Sequence, residues 1–197
     1  MKTILIDFDG TLANSIPFLY NLYLTFLSER GKEGNLKEFQ ELTGPRLEHY
    51  IQTLHKRHQL EEDVEELIPI YREKLEEGFI VDVVPFPDAV GMIHKWDWEG
   101  RQLGIVTAAH LDLVEAFLDK HLDKIPFIIT TGEEVTRSKP DPAIYRLALE
   151  KVGLKPAEAL AVEDSPNGIK SAQGAGILTF PFKESWTAVK TWVDKNG

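Results

Sequence analysis

Lys2-Thr3-Ile4-Leu5-Ile6-Asp7-Phe8-Asp9-Gly10-Thr11-Leu12 is the stretch that decides the fold. A short apolar run stops abruptly at two aspartates one residue apart, and a glycine turn follows. Such a run reads as a buried strand that delivers its acids to the carboxyl end of a parallel sheet, where α/β folds bind ligands. Two carboxylates crowded at a strand end repel each other unless a cation or a proton resolves the conflict. Taken alone, Asp-Gly after a strand is also an ordinary acidic turn. The rest of the chain has to decide between the two.

Past this strand the pattern becomes helical. Ile16, Leu19, Tyr20, Tyr23, Phe26 and Leu27 recur at helical spacing, and Gly31 and Gly34 punctuate the end. Further helices are predicted at 35–42 and 46–58, split by Gly44-Pro45, and another through Val64, Leu67, Ile68, Tyr71 and Leu75, which Pro69 should kink or interrupt. No strand alternation occurs between 16 and 84. From Val83 onward strand and helix alternate, with strands at Gln102–Val106, Phe127–Thr130, Ala159–Val162 and Ile177–Phe180. Helices fit at 87–98, 110–121, 141–152, 166–175 and 184–194. Repeated βα units imply a parallel sheet covered by helices on both faces. The expected architecture is a five-stranded doubly wound parallel-sheet core of residues 1–13 and 86–197 with an inserted α-helical cap at 14–85.

Composition excludes several classes. The 197 residues carry a formal net charge of −10, which argues against nucleic acid and anionic membrane surfaces as partners. The absence of cysteine removes disulfides, thiolate metal sites and cysteine nucleophiles. No apolar run approaches membrane-spanning length, and the first residues lack the basic and apolar regions of a secretory signal. The expectation is a soluble cytoplasmic enzyme, a monomer or weak homodimer.

Four segments fall just past predicted strands or before the following helix. They are Asp7-Phe8-Asp9-Gly10-Thr11, Ile105-Val106-Thr107-Ala108-Ala109, Ser138-Lys139-Pro140-Asp141-Pro142 and Val162-Glu163-Asp164-Ser165-Pro166-Asn167-Gly168. Ser165 is a natural helix N-cap and Pro140 or Pro142 a helix start. Singly, each segment has an ordinary structural explanation: a strand-end cap, a surface lysine, an acidic helix start. Together and in this order they resemble the haloacid dehalogenase-like superfamily, in its phosphatase branch with a helical cap after the first motif. The Glu163-Asp164-Ser165 form resembles the subgroup of sugar-phosphate phosphatases and β-phosphoglucomutase, and Gly44-Pro45-Arg46-Leu47 is similar to phosphoglycolate phosphatases. Asn14-Ser15 departs from the Asp-Ser often found at that point.

The resemblance implies phosphoryl transfer, which requires in-line positioning and relief of charge. Asp7 is then the nucleophile that forms an aspartyl-phosphate, and Asp9 the general acid and base. Thr107 donates its hydroxyl to a phosphoryl oxygen, with the Ala108 amide and the main chain at Phe8 completing the cradle. Lys139 supplies a fixed positive charge. Asp7, the Asp9 carbonyl, Glu163 and Asp164 surround Mg²⁺, a cation that prefers hard oxygen ligands. Arg46, in the position of the family's specificity loop, is a candidate for contacting a small phosphorylated metabolite. The function expected is a Mg²⁺-dependent phosphatase for a small phosphomonoester. A phosphomutase of the β-phosphoglucomutase type is the alternative, and a catalytically silent binding protein comes third.

Other features point to packing. His55 and His58 have no third ligand in sequence for a zinc site. Trp186, Val189, Trp192 and Val193 form a helical apolar stripe. Trp96 and Trp98 receive no function, and His110 stands near enough to the second motif to line a site. The segment 14–84 holds eight basic and fourteen acidic residues, a formal charge of −6, which does not suit a polyanionic substrate.

Overall fold

A computed structural model describes residues 2–197. Its centre is a five-stranded, all-parallel sheet of order β3-β2-β1-β4-β5. The strands are β1 (Thr3–Ile6), β2 (Leu103–Thr107), β3 (Ile128–Thr131), β4 (Ala159–Glu163) and β5 (Leu178–Pro181). The three inner strands are buried along their whole length. That is why they read as continuous apolar runs, since a parallel sheet is covered on both faces.

Side chains on successive strand positions face opposite ways, and the two apolar clusters separate accordingly. Ile4, Ile6, Ile105, Leu160 and Val162 pack with α5 (Ala89–Trp98), α6 (Leu111–His121) and α9 (Trp186–Asn196). Leu5, Val106, Ala159 and Ala161 pack with α7 (Ala143–Val152) and α8 (Pro166–Gly174). Trp186, Val189 and Val193 are core residues, as their spacing implied. Trp96 is fully buried against Trp186. Trp98, two residues on, is 89% exposed.

Four helices form the inserted cap: α1 (Ile16–Ser28), α2 (Leu36–Leu42), α3 (Leu47–His58) and α4 (Val64–Asp82). They close around their own cluster of Tyr23, Phe26, Phe39, Ile51, Leu54 and Tyr71. One expectation needs correction here: α4 runs without interruption through Pro69. Pro69 is the sixth residue of α4, past the amides that lack intrahelical acceptors, so it forgoes one bond to the Glu65 carbonyl while the packing of Leu67 and Tyr71 in the cap cluster holds the turn. Helix α7 begins at Ala143, two residues later than expected, because Pro142 occupies its N-cap.

The chain enters and leaves the cap through two segments that lie side by side. The Asn14 amide donates to the Val84 carbonyl (2.9 Å), the Phe86 amide donates to the Leu12 carbonyl (3.0 Å), and Ala13 and Pro85 form an antiparallel bridge. Phe79 of α4 stacks on Phe8 (5.8 Å between ring centroids) and meets Phe117 edge-on, which seats the base of the cap on the core.

Candidate active site

Strand register assembles the site. Ile6 pairs with Ile105 on one side and with Val162 on the other. The residues that follow, Asp7, Thr107 and Glu163, therefore emerge together at the carboxyl ends of three adjacent strands. The Asp7 amide still donates to the Val162 carbonyl (3.0 Å), which fixes the direction of its side chain. Chain order reverses between β1 and β4, and such a switch point opens a crevice for ligand in open α/β sheets.

Lys139 holds the centre. Its ammonium donates to Asp7 Oδ1 (2.6 Å), Glu163 Oε1 (2.5 Å) and the Val106 carbonyl (3.1 Å). Glu163 is fully buried and also accepts from the Tyr145 hydroxyl (2.9 Å). Burial by itself would depress the lysine, but Asp7 and Glu163 more than offset it and hold the ammonium charged. Burial, then the nearby Glu163 charge, pushes Asp7 well above the ordinary carboxylate range despite Lys139. Burial and Glu163 likewise push Asp164 up to about 7.

Two glycines allow this crowding. At Gly168 a Cβ would stand 1.9 Å from Glu163 Oε2, so only glycine lets the first turn of α8 lie against that carboxylate. At Gly10, where φ is +79°, a Cβ would stand 2.3 Å from Asp164 Oδ2. Ser165 caps α8 by accepting from the Gly168 amide (2.9 Å), as its position predicts. Asp9 accepts from the buried Ser15 hydroxyl (2.7 Å). Burial raises Asp9 while that hydrogen bond and Lys139 pull it down, and the net direction is upward.

Above these groups lies a cavity of about 180 Å³ between core and cap. Asp7, Asp9, Thr107, Ala108, Lys139 and Asp164 line its floor. His110 is at its edge, with Nδ1 3.0 Å from Glu133. Three sequence candidates lie elsewhere. Glu163 is behind the floor, shared by Lys139 and Tyr145. The Phe8 ring is buried against Phe79 and Phe117, so only its main chain is available. The Arg46 stem packs over Gly132, close to Ala108, and Arg46 is not part of the lining. Sequence reasoning gave no role to Tyr145 and named Ser15 only within the Asn14-Ser15 pair. Tyr145 sits in the first turn of α7, just past the lysine motif, and that nearness was the available signal. His58 is held by Glu38 (3.0 Å) inside the cap.

The acids suit a hard divalent cation. One carboxylate oxygen from each of Asp7, Glu163 and Asp164 lies within 4.8 Å of the others. Asp7 and Asp164 are both pushed up by burial and by Glu163, with one buried lysine as the balancing charge. An all-oxygen set of this kind fits Mg²⁺, with Glu163 as a support because one of its oxygens already accepts from Lys139 and Tyr145.

A strand-end acid pair, a buried lysine and a second acidic strand end on a doubly wound sheet define a hydrolase of the phosphoryl-transfer type. The model of the haloacid dehalogenase-like hydrolase family matches residues 4–181, and this chain belongs to that family. Among curated relatives, the pyrophosphatase PpaX of Bacillus cereus (strain AH820) is 30% identical over 192 residues, covering 95% of this chain and 84% of its own. Among solved structures, CbbY from Rhodobacter sphaeroides in complex with phosphate superposes with a TM-score of 0.77 at 26% identity, covering 94% of this chain and 88% of that one. A substituted form of CbbY in complex with xylulose 1,5-bisphosphate gives 0.77 at 25% identity, covering 95% and 89%. No helix among the described residues is long and apolar enough to cross a membrane.

Proposed function

We propose that this chain is a Mg²⁺-dependent cytoplasmic phosphatase that hydrolyses a small phosphomonoester through an aspartyl-phosphate on Asp7. The observation that carries this reading is the convergence of Asp7, Asp9, Thr107 and Lys139 on one cavity floor. We take residues 14–85 as the cap over a catalytic core of 1–13 and 86–197, acting as a monomer or weak homodimer.

Asp7 attacks phosphorus while the bond to the ester oxygen breaks, and Asp9 gives its proton to the departing oxygen. The upward shift of Asp9 suits it to hold that proton beforehand. In the second half Asp9 takes a proton from water, whose oxygen attacks phosphorus and frees Asp7. Lys139 keeps the attacking carboxylate aimed and offsets charge on the phosphoryl group, and Thr107 and the main chain at Phe8 and Ala108 hold its oxygens. Asp7, Asp164 and the Asp9 carbonyl, with Glu163 behind them, would hold Mg²⁺, which would add positive charge to offset that of the phosphoryl group. Hydrolysis is favoured over a mutase because Lys139 is the only lysine or arginine lining the cavity among the described residues, and His110 at its edge is already engaged by Glu133.

Phosphate release should stop with EDTA and return with Mg²⁺, whereas Ca²⁺ should restore it poorly because it prefers more ligands at longer distance. Asp7→Asn should lower release by about 10⁴-fold or more and yield no phosphorylated protein in an intact-mass measurement. Asp9→Asn should lose about 10²–10⁴-fold yet still take up a phosphoryl group from esters with good leaving groups. Near-normal turnover in Asp7→Asn would require a different nucleophile.

A further inference from the structure

We propose that the ester group this site accepts is the uncharged, largely hydrocarbon part of a single-phosphate ester, and that polyol phosphates, bisphosphates and pyrophosphate are poor substrates. The proposal rests on the phosphatase reading above and concerns the half of the cavity that faces away from the catalytic floor.

That half is built by the cap, and its walls are apolar. Leu19 of α1, Phe39 and Leu42 of α2, Leu47 and Tyr50 of α3, and Tyr71 of α4 face the space above Asp7. The cap segment holds eight basic and fourteen acidic side chains, yet none of them lines the cavity. Five of the eight cations are engaged elsewhere. Arg30 pairs with Glu62 (3.0 Å), Arg57 with Glu41 (3.2 Å), Arg72 with Glu76 and Asp112, and Lys74 with Glu29 (2.8 Å). Arg46 is laid over Gly132. A second phosphate placed here would lose its hydration with no counter-charge, a cost that binding cannot recover.

Polar atoms on these walls are few and mostly committed. The Thr43 hydroxyl donates to the Gln40 carbonyl (2.8 Å), and the Thr43 carbonyl accepts from the Asn167 amide group (3.4 Å). The Tyr71 hydroxyl donates to that of Tyr50 (3.5 Å). The Tyr50 proton is the one left to give, which provides for one acceptor on a substrate but not for the ring of hydroxyls on a sugar. The whole cavity, catalytic floor included, holds about 180 Å³, against about 150 Å³ of apolar cavity for benzene alone, so the ester group is limited to about one small ring reaching toward the cavity mouth. Burying such a group against leucine and aromatic walls supplies the discrimination.

The test is a kcat/KM comparison on the full chain with Mg²⁺, using benzyl phosphate, glycerol 1-phosphate, glucose 6-phosphate, fructose 1,6-bisphosphate and pyrophosphate. Benzyl and glycerol phosphates both release primary alcohols, so their ratio reports mainly the pocket. Benzyl phosphate should lead every other compound by about tenfold or more, the discrimination that one or two buried methylenes provide. Leu47→Asn and Leu19→Asn, at half-buried positions, should each lower the benzyl-to-glycerol ratio by about tenfold, with melting curves confirming that both variants fold. If phosphate is released but any of the four polar compounds matches or exceeds benzyl phosphate, the substrate class is wrong and the phosphatase reading stands. An unchanged ratio in both folded variants also overturns the proposal. If no compound releases phosphate and Asp7 takes up no phosphoryl group, the phosphatase reading falls and this one with it.

Discussion

Lys139 is the residue on which the interior of the site depends, because two of its three hydrogen-bond partners are carboxylates and it is itself buried. Removing its ammonium leaves the fully buried Glu163 without its cation. Lys139→Met should therefore cost about 3–5 kcal/mol of stability as well as activity, measured by denaturant unfolding. Tyr145→Phe removes only one hydrogen bond to the same carboxylate and should cost about 1.5–3 kcal/mol. A Lys139→Met protein as stable as the parent would mean that Glu163 does not depend on this ammonium. At this scale the sequence was readable where chemistry and strand ends coincide: Asp7, Asp9, Thr107, Lys139 and Asp164 all reach the cavity. Ser15 and Tyr145 were harder because each acts through a partner distant in sequence or hidden inside a helix. Arg46 was placed at the substrate on local position alone, and the glycine at 132, which offers its stem a flat seat, could not be foreseen from residues 43–47.

Among the elements, α2 and α3 are joined by a nearly closed polar cluster. Glu38, 13% exposed, receives the Tyr23 hydroxyl and contacts His58 and Arg57. Burial raises this carboxyl, but Tyr23, His58 and Arg57 outweigh burial and leave it below its ordinary value of 4.5. A carboxyl lowered in the folded state binds its proton more readily when unfolded. Its stabilising contribution is thus complete above about pH 4.5 and is lost as pH falls through the lower folded value. Glu38→Gln should lower stability at neutral pH by about 1–2 kcal/mol and flatten the fall in melting temperature below pH 4.5. An acid limb as steep as the parent's would show that other groups govern it. Most helix and strand positions were recovered within about two residues because burial and period agree along them, the exception being α4, which runs on past Leu75 to Asp82. Pro69 misled because one lost backbone bond can be outweighed by packing of the same turns, here Leu67 and Tyr71 in the cap cluster, which the proline itself does not announce.

Over the whole molecule, negative charge is the dominant electrostatic fact, and it is concentrated where ligand must bind. The chain is at −10, and Asp7, Asp9, Glu163 and Asp164 meet one lysine at the site. Cation binding should therefore stabilise the fold measurably. At Mg²⁺ one hundred times its dissociation constant the gain is about 2.7 kcal/mol, a rise of several degrees in melting temperature for a chain of this size. The rise should be absent in Asp164→Asn. A melting temperature indifferent to Mg²⁺ in the parent protein would mean that the acids hold no such ion. The five-stranded parallel sheet and the inserted cap were legible from alternation and its interruption, while the order of the strands was not. The character of the cavity was not, because its apolar wall is assembled from four helices whose inward residues look in sequence like ordinary core.

The paired segments at 12–14 and 84–86 have a consequence beyond holding the cap in place. Because they run beside each other, the ends of a seventy-residue insertion meet the core almost at a single point, and a short turn between Ala13 and Pro85 would close the gap. The sheet is hydrogen-bonded entirely without the insertion, and the cap meets the core through a few side-chain contacts, chiefly Phe79 on Phe8 and Phe117, Arg72 with Asp112, and Arg46 over Gly132. Geometry of this kind makes the lid interchangeable. A lineage can exchange one lid for another, or reshape its inner wall, while the machinery beneath stays in register. Taste in substrates and skill in chemistry can then be inherited separately.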